Sequence, residues 1–266
     1  MKRISALGTY VLTAAGLVAI ALGIVLRTVE TLNGNYVFGF DQGLDTMAAS
    51  SIAFAHKFTL IGAEAGAGFA GLPGIFHGPG YRYILAGLLF IGAGNPYWSI
   101  VFLCAVSLAV IFALTRLSNR IFGNATARLV LLLSAVSLPL TAQARMIWAP
   151  NYSGVLVMPF LYALWMSRKK TLVSVFLTAF LAASLYHFEI PMAVPALVAV
   201  GVYFAVVLRV RDIRRWIVIA AGALMGFLPM ILFEARHGWN IVRGVLSYGT
   251  RVTQGAQAKP FQPIAG

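Results

Sequence analysis

Long apolar stretches alternate with short polar connections along the chain. Seven of them reach or approach spanning length, namely Ala6–Leu26, Tyr97–Leu117, Ala125–Ala144, Gly154–Met166, Leu172–Tyr186, Ile190–Leu208 and Trp216–Phe233. A helix of ~20 apolar residues crosses the ~30 Å of bilayer hydrocarbon. The first stretch follows Lys2 and Arg3 but exceeds the apolar core of a signal peptide, and no cleavage site follows it. The pattern therefore predicts an all-α fold, a polytopic transmembrane helical bundle of about seven spans.

One more apolar stretch, Tyr81–Ala93, is bounded by Gly and Pro on both sides. As a helix it covers only ~20 Å, so it is predicted to lie along the interface, with Tyr81, Arg82 and Tyr83 at headgroup level and its leucines facing inward. The basic clusters then share one side, namely Lys2 and Arg3; Arg116, Arg120 and Arg128; Arg168, Lys169 and Lys170; and Arg209, Arg211, Arg214 and Arg215. By the positive-inside rule this side, with the N-terminus, is cytoplasmic.

The composition supports a membrane location. The chain of 266 residues is 60% hydrophobic and 10% charged, with a mean hydropathy of +0.87, whereas soluble domains hold about 25% charged residues. A net charge of +13 would suggest nucleic acid in a soluble protein. Because the basic residues sit between apolar stretches, they are interpreted as topology signals and contacts for membrane lipids, and no nucleic-acid partner is expected. The single cysteine, Cys104, is expected to be a small buried hydrophobe.

Most of the acidic residues and all of the histidines fall on the predicted outer face. Six of the seven acids and all four histidines fall there, namely Glu30, Asp41, Asp45, Glu64, Glu189, Glu234, His56, His77, His187 and His237. Charged groups near a bilayer are costly, so this clustering indicates a site on the outer face. The alternative is that the outer loops are simply longer and hold more polar residues.

The first outer loop, residues 27–96, is too long for a simple connection and is predicted to hold interfacial helices, one of them over Thr46–Phe58. Asp41 opens this helix. It is either a first-turn or capping carboxylate or a general base in a partly desolvated site. Asp45 lies one turn further and would share its face. The pair could hold a divalent cation, but two oxygen ligands do not define a metal site, and no metal ligands are assigned.

Other polar residues have two interpretations each. The stretch Gly62–Gly74 lacks the spacing of a phosphate-binding loop and is interpreted as a flexible loop. His77, before Gly-Pro-Gly, is interpreted as a turn residue. Arg82 and Arg145 either bind a phosphate or mark the membrane interface.

Two further pairs of polar residues lie at the outer ends of predicted spans. His187 and Glu189 are interpreted as structural caps. Glu234 and Arg236, next to His237, are expected to form a local ion pair of little energetic weight.

Four segments on the predicted outer side together resemble the GT-C glycosyltransferases, in the branch that contains protein O-mannosyltransferases and lipid A aminoarabinose transferases. They are Phe38-Gly-Phe-Asp-Gln42, His77-Gly-Pro-Gly-Tyr81, Ala144-Arg-Met-Ile-Trp-Ala-Pro-Asn151 and Phe233-Glu-Ala-Arg-His-Gly238. The resemblance covers nearly the whole chain. It implies a single transmembrane domain over residues 1–266 that is cut at the C-terminus, because members of the family are considerably longer.

The resemblance also implies a function. In this family a sugar carried on a polyprenyl phosphate is the donor, and an acidic residue of the first outer loop matches Asp41, the expected catalytic base. Two positions depart from the family, since Gln42 and Asn151 stand where relatives often have acids. The donor phosphate is assigned to four residues and a supporting role to four more, namely Arg82, Arg145, Arg236 and His237, and Asp45, His77, Asn151 and Glu234.

The expected function is transfer of the sugar to a hydroxyl of a lipid, glycan or protein acceptor, with inversion, at the outer face of the cell membrane. The rival is a non-enzymatic permease or lipid-handling subunit. Transporters often contain broken helices, and Pro139, Pro195 and Pro229 could break the spans that hold them. No internal repeat of the transporter kind is apparent in the sequence.

Overall fold

A computed structural model of the chain describes residues 6–64 and 74–253. This part is helical and has no strand beyond the isolated bridges Val37–Met146 and Glu64–Phe76, which confirms the all-α prediction for it. The helices are α1 (Ala6–Leu32), α2 (Phe40–Ala55), α3 (Gly80–Ile91), α4 (Tyr97–Phe122), α5 (Asn124–Val136), α6 (Leu138–Gln143), α7 (Ala149–Tyr152), α8 (Gly154–Met166), α9 (Leu172–Ser184), α10 (Ile190–Val202), α11 (Ile213–Gly226), α12 (Leu228–Arg236) and α13 (Asn240–Thr253).

Two helices of the described part are long and apolar enough to cross a membrane. One is α4, and the other is α10 together with the π-helical turn that extends it to Val207. The pair α11 and α12 gives a third if it is counted as one bent span. This is consistent with a membrane protein, whereas the predicted count of seven spans is not confirmed.

Two predicted spans are broken where the sequence places a proline. The stretch Ala125–Ala144 divides at Ser137 into α5 and α6, with Pro139 in the first turn of α6. The stretch Trp216–Phe233 divides at Phe227 into α11 and α12, which are bent by 67° with Pro229 at the start of α12. Proline lacks the backbone N–H and clashes with the preceding turn.

Arg27 lies within α1 and not at the start of the outer loop, as the sequence suggested, because α1 continues to Leu32. Its side chain is fully buried. Nη1 and Nη2 each lie 2.9 Å from a backbone carbonyl oxygen, of Ala135 and Ser134 respectively, and Nε lies 3.0 Å from Oγ of Ser107. These carbonyls belong to the last turn of α5, where the helix itself provides no donors. The guanidinium therefore caps α5 and ties α1 to α4 and α5.

Helix α2 begins earlier than the predicted Thr46–Phe58. Gly39 is its N-cap, and Oε1 of Gln42 accepts a hydrogen bond of 2.8 Å from the Gly39 backbone N–H. This is one half of a capping box, which satisfies a backbone donor at the helix start. Asp41 consequently lies in the first turn. The helix ends before His56, whose φ of 53° is left-handed.

Helix α3 packs on α2 and α4 and presents Leu85 and Leu89, both fully buried, to the core they share. The prediction that its leucines face inward is confirmed for these two. Tyr81 is only 3% exposed, so its ring packs inside the protein, and its predicted position at headgroup level stays a prediction. Its ring packs on that of Tyr152, with a centroid distance of 5.3 Å. A second core cluster lies among α8, α9, α10 and α11.

Candidate functional site

A polar cavity of about 380 Å³ lies where α2 and α3 meet the connection from α9 to α10. Its other walls are the short segments before and after residues 65–73, and the chain around Trp148. The polar and aromatic side chains that line it are Asp41, Asp45, Glu64, His77, Tyr81, Arg82, Trp148, His187, Phe188 and Glu189. The structure thus brings together Asp41, Asp45, His77 and Arg82 of the residues that the sequence singled out.

The two aspartates of α2 differ in their surroundings. Asp41 is exposed at the mouth of the cavity, whereas the side chain of Asp45 is 13% exposed and its Oδ1 lies 3.9 Å from Nε of Arg82. Burial raises the pKa of Asp45, and the negative charge of Asp41 adds to the rise, while Arg82 and His77 oppose it. The sequence expected a partly desolvated Asp41, but the desolvated carboxyl is that of Asp45.

The segment around His77 is fixed by backbone pairing with the chain before the glycine-rich stretch. The N–H of Gly62 donates to the carbonyl of His77 at 2.7 Å, and the N–H of His77 donates to the carbonyl of Ala63 at 2.9 Å. Nδ1 of His77 also lies 3.2 Å from the Ala63 carbonyl oxygen, to which it can donate a hydrogen bond when it carries the proton. Nε2 faces Oε1 of Glu189, 3.6 Å away. Most of the stretch predicted to be flexible, residues 65–73, lies outside the described residues.

His187 joins three parts of the chain. Its Nε2 lies 3.0 Å from the carbonyl oxygen of Gly226, at the bend between α11 and α12. On the other side, a Cβ added to Gly78 would lie 2.1 Å from Nδ1 of His187, and one added to Gly80 would lie 2.8 Å from its Cβ. The two glycines are therefore required for close approach, and the turn at Pro79 packs directly on the imidazole.

Neither His187 nor Glu189 acts as the cap that the sequence suggested. Glu189 occupies the N-cap position of α10, but its side chain makes no capping hydrogen bond there. Its carboxylate faces His77 instead, because the segment of His77 packs against the connection from α9 to α10.

Four buried polar atoms around the cavity have no hydrogen-bond partner within the described part of the chain. They are Nε2 of His77, the hydroxyl of Tyr81, Nε of Arg82 and Nδ1 of His187. Buried polar groups are nearly always hydrogen-bonded in proteins, and leaving one unsatisfied costs about 1–3 kcal/mol. All four atoms belong to residues that line the cavity, which favours it as a place for a polar ligand.

An apolar groove of about 530 Å³ adjoins this cavity, between α3, α9 and the bend from α11 to α12. His187 and Phe188 line both spaces and form the wall between them. The remaining lining of the groove is almost entirely aliphatic and aromatic, and includes Ile84, Leu156 and Phe180.

Two predicted site residues from the chain before α8 have structural contacts instead. Nε and Nη2 of Arg145 lie 3.3 and 3.0 Å from the carbonyl oxygen of Asn35, and the amide of Asn151 donates to the carbonyl of Met146 at 3.0 Å. Arg145 therefore helps to hold the chain between α1 and α2.

Glu234, Arg236 and His237 also lie away from the cavity lining. Glu234 is buried, and its two carboxylate oxygens accept hydrogen bonds from the backbone N–H groups of Ile241 and Val242 at 2.9 and 3.1 Å. The expected ion pair with Arg236 is replaced by this capping of α13, since the first amides of a helix need acceptors. Arg236 and His237 are exposed at the end of α12.

The cavity residues that the sequence misjudged are Tyr81, Trp148, His187 and Glu189. A signal for His187 was present in the pair Gly78 and Gly80, because glycines on both sides of a proline permit close packing of another side chain. Nothing in the sequence identified which side chain it is.

The cavity is acidic, with four carboxylates and one arginine. In the described part of the chain, no three His, Cys, Asp or Glu side chains come close enough together to hold a metal ion. A divalent cation at Asp41 and Asp45 stays a prediction.

Comparisons of the chain with protein-family models, with curated proteins and with solved structures find no match. The resemblance to GT-C glycosyltransferases therefore rests on the four sequence segments alone.

Proposed function

We propose that the chain is a membrane glycosyltransferase of GT-C type, which moves a sugar from a polyprenyl phosphate to an acceptor hydroxyl. The observation that carries this proposal is the polar cavity and apolar groove on the two sides of His187 and Phe188. A lipid-linked sugar has a polar head and a long apolar tail, so it needs both kinds of space next to one another. Carboxylates in the cavity suit a sugar, since they accept hydrogen bonds from its hydroxyls.

The charges of the cavity support one position for the phosphate. Among the proposed phosphate ligands Arg82, Arg145, Arg236 and His237, only Arg82 lines the cavity. Its Nε is without a hydrogen-bond partner in the described structure, and Asp45 is near enough to orient it. The phosphate would therefore lie at Arg82, with the sugar extending toward Asp41.

In the proposed reaction the acceptor oxygen attacks the anomeric carbon of the donor sugar. Asp41 takes the proton of the acceptor hydroxyl, while the bond from the anomeric carbon to the phosphate oxygen breaks and its electron pair leaves with the polyprenyl phosphate. Arg82 stabilises the charge that develops on the leaving phosphate. Attack opposite the leaving group inverts the anomeric configuration.

We place the cavity at the outer face of the cell membrane, with the N-terminus in the cytoplasm, on the basis of the basic clusters. Seven spans remain part of this proposal. Cysteine labelling tests it once Cys104 is replaced. A single cysteine at Lys169 should resist a membrane-impermeant reagent added outside, and one at Asp41 should react; the reverse pattern would contradict the sidedness.

The catalytic proposal is tested with a panel of radiolabelled polyprenyl-phosphate sugars incubated with membranes that contain the protein. We expect one donor to be consumed, with release of polyprenyl phosphate and appearance of label in an acceptor. Membranes with the chain absent provide the background. If every donor is recovered intact, the proposal is contradicted.

The 67° bend between α11 and α12 favours a second candidate, a permease or lipid-handling subunit. Broken helices are common where transporters bind their substrates. The same panel separates the two, because a permease would move a lipid-linked sugar across vesicles without breaking its glycosyl bond.

A further inference from the structure

A second groove, of about 550 Å³, lies between α4 and α8. Its floor is apolar, formed by Phe112, Leu117, Met158 and Pro159, and among the described residues no acidic side chain lines it. Two arginines stand along one side, Arg116 and Arg120, one helical turn apart in the last two turns of α4. Helix α4 is a candidate membrane span, so these arginines belong to the end of a span.

Aromatic rings hold both arginines in position. The Cζ atom of Arg116 lies 5.3 Å from the centroid of the Phe112 ring. Arg120 lies over the rings of Tyr162 and Trp165, at 5.9 and 5.7 Å, and its Nη1 donates to the Tyr162 hydroxyl at 3.2 Å. Stacking of this kind orients a guanidinium and leaves most of its N–H donors facing outward.

The described charged side chains that line the groove are both arginines, so its charge is positive. In the described part of the chain no carboxylate pairs with Arg116 or Arg120. Arg168 also lies over the Trp165 ring, at 5.3 Å, and is followed by Lys169 and Lys170. An apolar groove with uncompensated arginines at the end of a span complements an anionic headgroup carried on an acyl chain.

We infer that the groove between α4 and α8 binds one acidic phospholipid, with its headgroup phosphate on Arg116 and Arg120 and an acyl chain along Phe112 and Met158. This site is independent of the polar cavity, which lies beyond the opposite end of α4, at the connection from α9 to α10. Neutral phospholipids carry a compensating cation, which the arginines would repel. An acidic phospholipid such as phosphatidylglycerol is therefore the preferred occupant.

The test uses the full chain in phosphatidylcholine vesicles that contain a minor fraction of lipid with brominated acyl chains, either phosphatidylglycerol or phosphatidylcholine. Bromine quenches tryptophan fluorescence at short range, and the signal of Trp165 is the difference between the wild type and Trp165→Phe. We expect brominated phosphatidylglycerol to quench Trp165 at lower mole fractions than brominated phosphatidylcholine. Arg116→Gln and Arg120→Gln should each weaken this preference about fivefold.

Arg211→Gln is the matched control, because it removes an exposed arginine of another basic cluster on the same predicted side. It should leave the preference unchanged. Equal quenching by the two brominated lipids would overturn the inference, and so would equal losses in Arg211→Gln and Arg120→Gln, which would indicate general surface attraction. Loss of the phosphatidylglycerol preference in dilute inorganic phosphate, but not in chloride of equal ionic strength, would show that the arginines take free phosphate in preference to a lipid and would contradict a lipid site. Quenching that falls as the protein-to-lipid ratio rises would show that a second copy of the chain occupies the groove.

Discussion

Nε2 of His187 lies 3.0 Å from the carbonyl oxygen of Gly226, so one imidazole fixes the end of α9 against the bend between α11 and α12. The other side of the same residue lies against Gly78 and Gly80, which flank Pro79 at the start of α3. This arrangement explains why the polar cavity and the apolar groove meet at His187 and the adjacent Phe188. Changes that displace His187 should disturb both spaces.

Gly78→Ala is expected to destabilise the protein, because the added methyl would lie 2.1 Å from Nδ1 of His187. Overpacking of this kind costs about 1–3 kcal/mol. Gly87→Ala is the matched control, since nothing lies within 4 Å of a Cβ added there and the site is inside α3. The control should be neutral or stabilising by about 0.5–1 kcal/mol. Unfolding curves in mild detergent measure both, and equal stabilities of the two variants would contradict the packing described for His187.

Helix type and many helix positions could be predicted from the sequence, because a long apolar run in a membrane has few alternatives to a helix. The breaks could not be located with certainty. Pro139 and Pro229 interrupt their helices, while Pro195 lies inside α10 without ending it. A helix break costs little free energy at a proline, and the tertiary packing around that proline decides whether the helix ends there.

The residues of the cavity could likewise be predicted from the sequence only in part. Asp41, Asp45, His77 and Arg82 could be found because they lie in one loop of unusual length. Glu189 could not be assigned, since its approach to His77 depends on how the segment before α3 packs on the chain that follows α9. Local patterns also misled at Glu234, whose carboxylate caps a helix that begins six residues later at Asn240.

Glu234→Ala is expected to loosen α13, because the backbone N–H groups of Ile241 and Val242 lose their acceptors. Loss of a cap costs about 0.5–2 kcal/mol, so amide exchange in the first turn of α13 should accelerate roughly 5–30-fold at the upper end of this range. Hydrogen exchange followed by mass spectrometry is the measurement. Arg236→Gln is the control and should leave exchange in α13 unchanged. Equal acceleration of amide exchange in both variants would contradict this capping and favour the ion pair between Glu234 and Arg236 that the sequence predicts.

Asp45→Asn is expected to raise stability at neutral pH. The pKa of Asp45 in the folded protein is above its ordinary value of 3.8, mainly through burial, so the native state binds this proton more tightly than the unfolded chain. Stability of the wild type therefore falls as pH rises from 3.8 through the native pKa. The advantage of the variant should shrink as the pH is lowered toward 3.8.

Denaturation of the wild type and Asp45→Asn at a series of pH values measures this difference in stability. Asp212→Asn, at the N-cap of α11, is the control. If Asp45→Asn is less stable than the wild type at neutral pH, the pairing with Arg82 outweighs the burial of the carboxylate.

The measurement that tests the proposed function most directly is sugar transfer from a polyprenyl-phosphate donor by wild type and Asp41→Asn in matched membranes. Asparagine keeps the size of the side chain and is accepted at helix starts, so insertion and folding should be unchanged. The expected loss in transfer rate is roughly 10²–10⁴-fold, the usual contribution of a general base. Asp212→Asn makes the same chemical change away from the cavity and should transfer sugar at the wild-type rate. Near-normal transfer by Asp41→Asn at equal expression would contradict the account and leave Asp41 only as a first-turn carboxylate of α2.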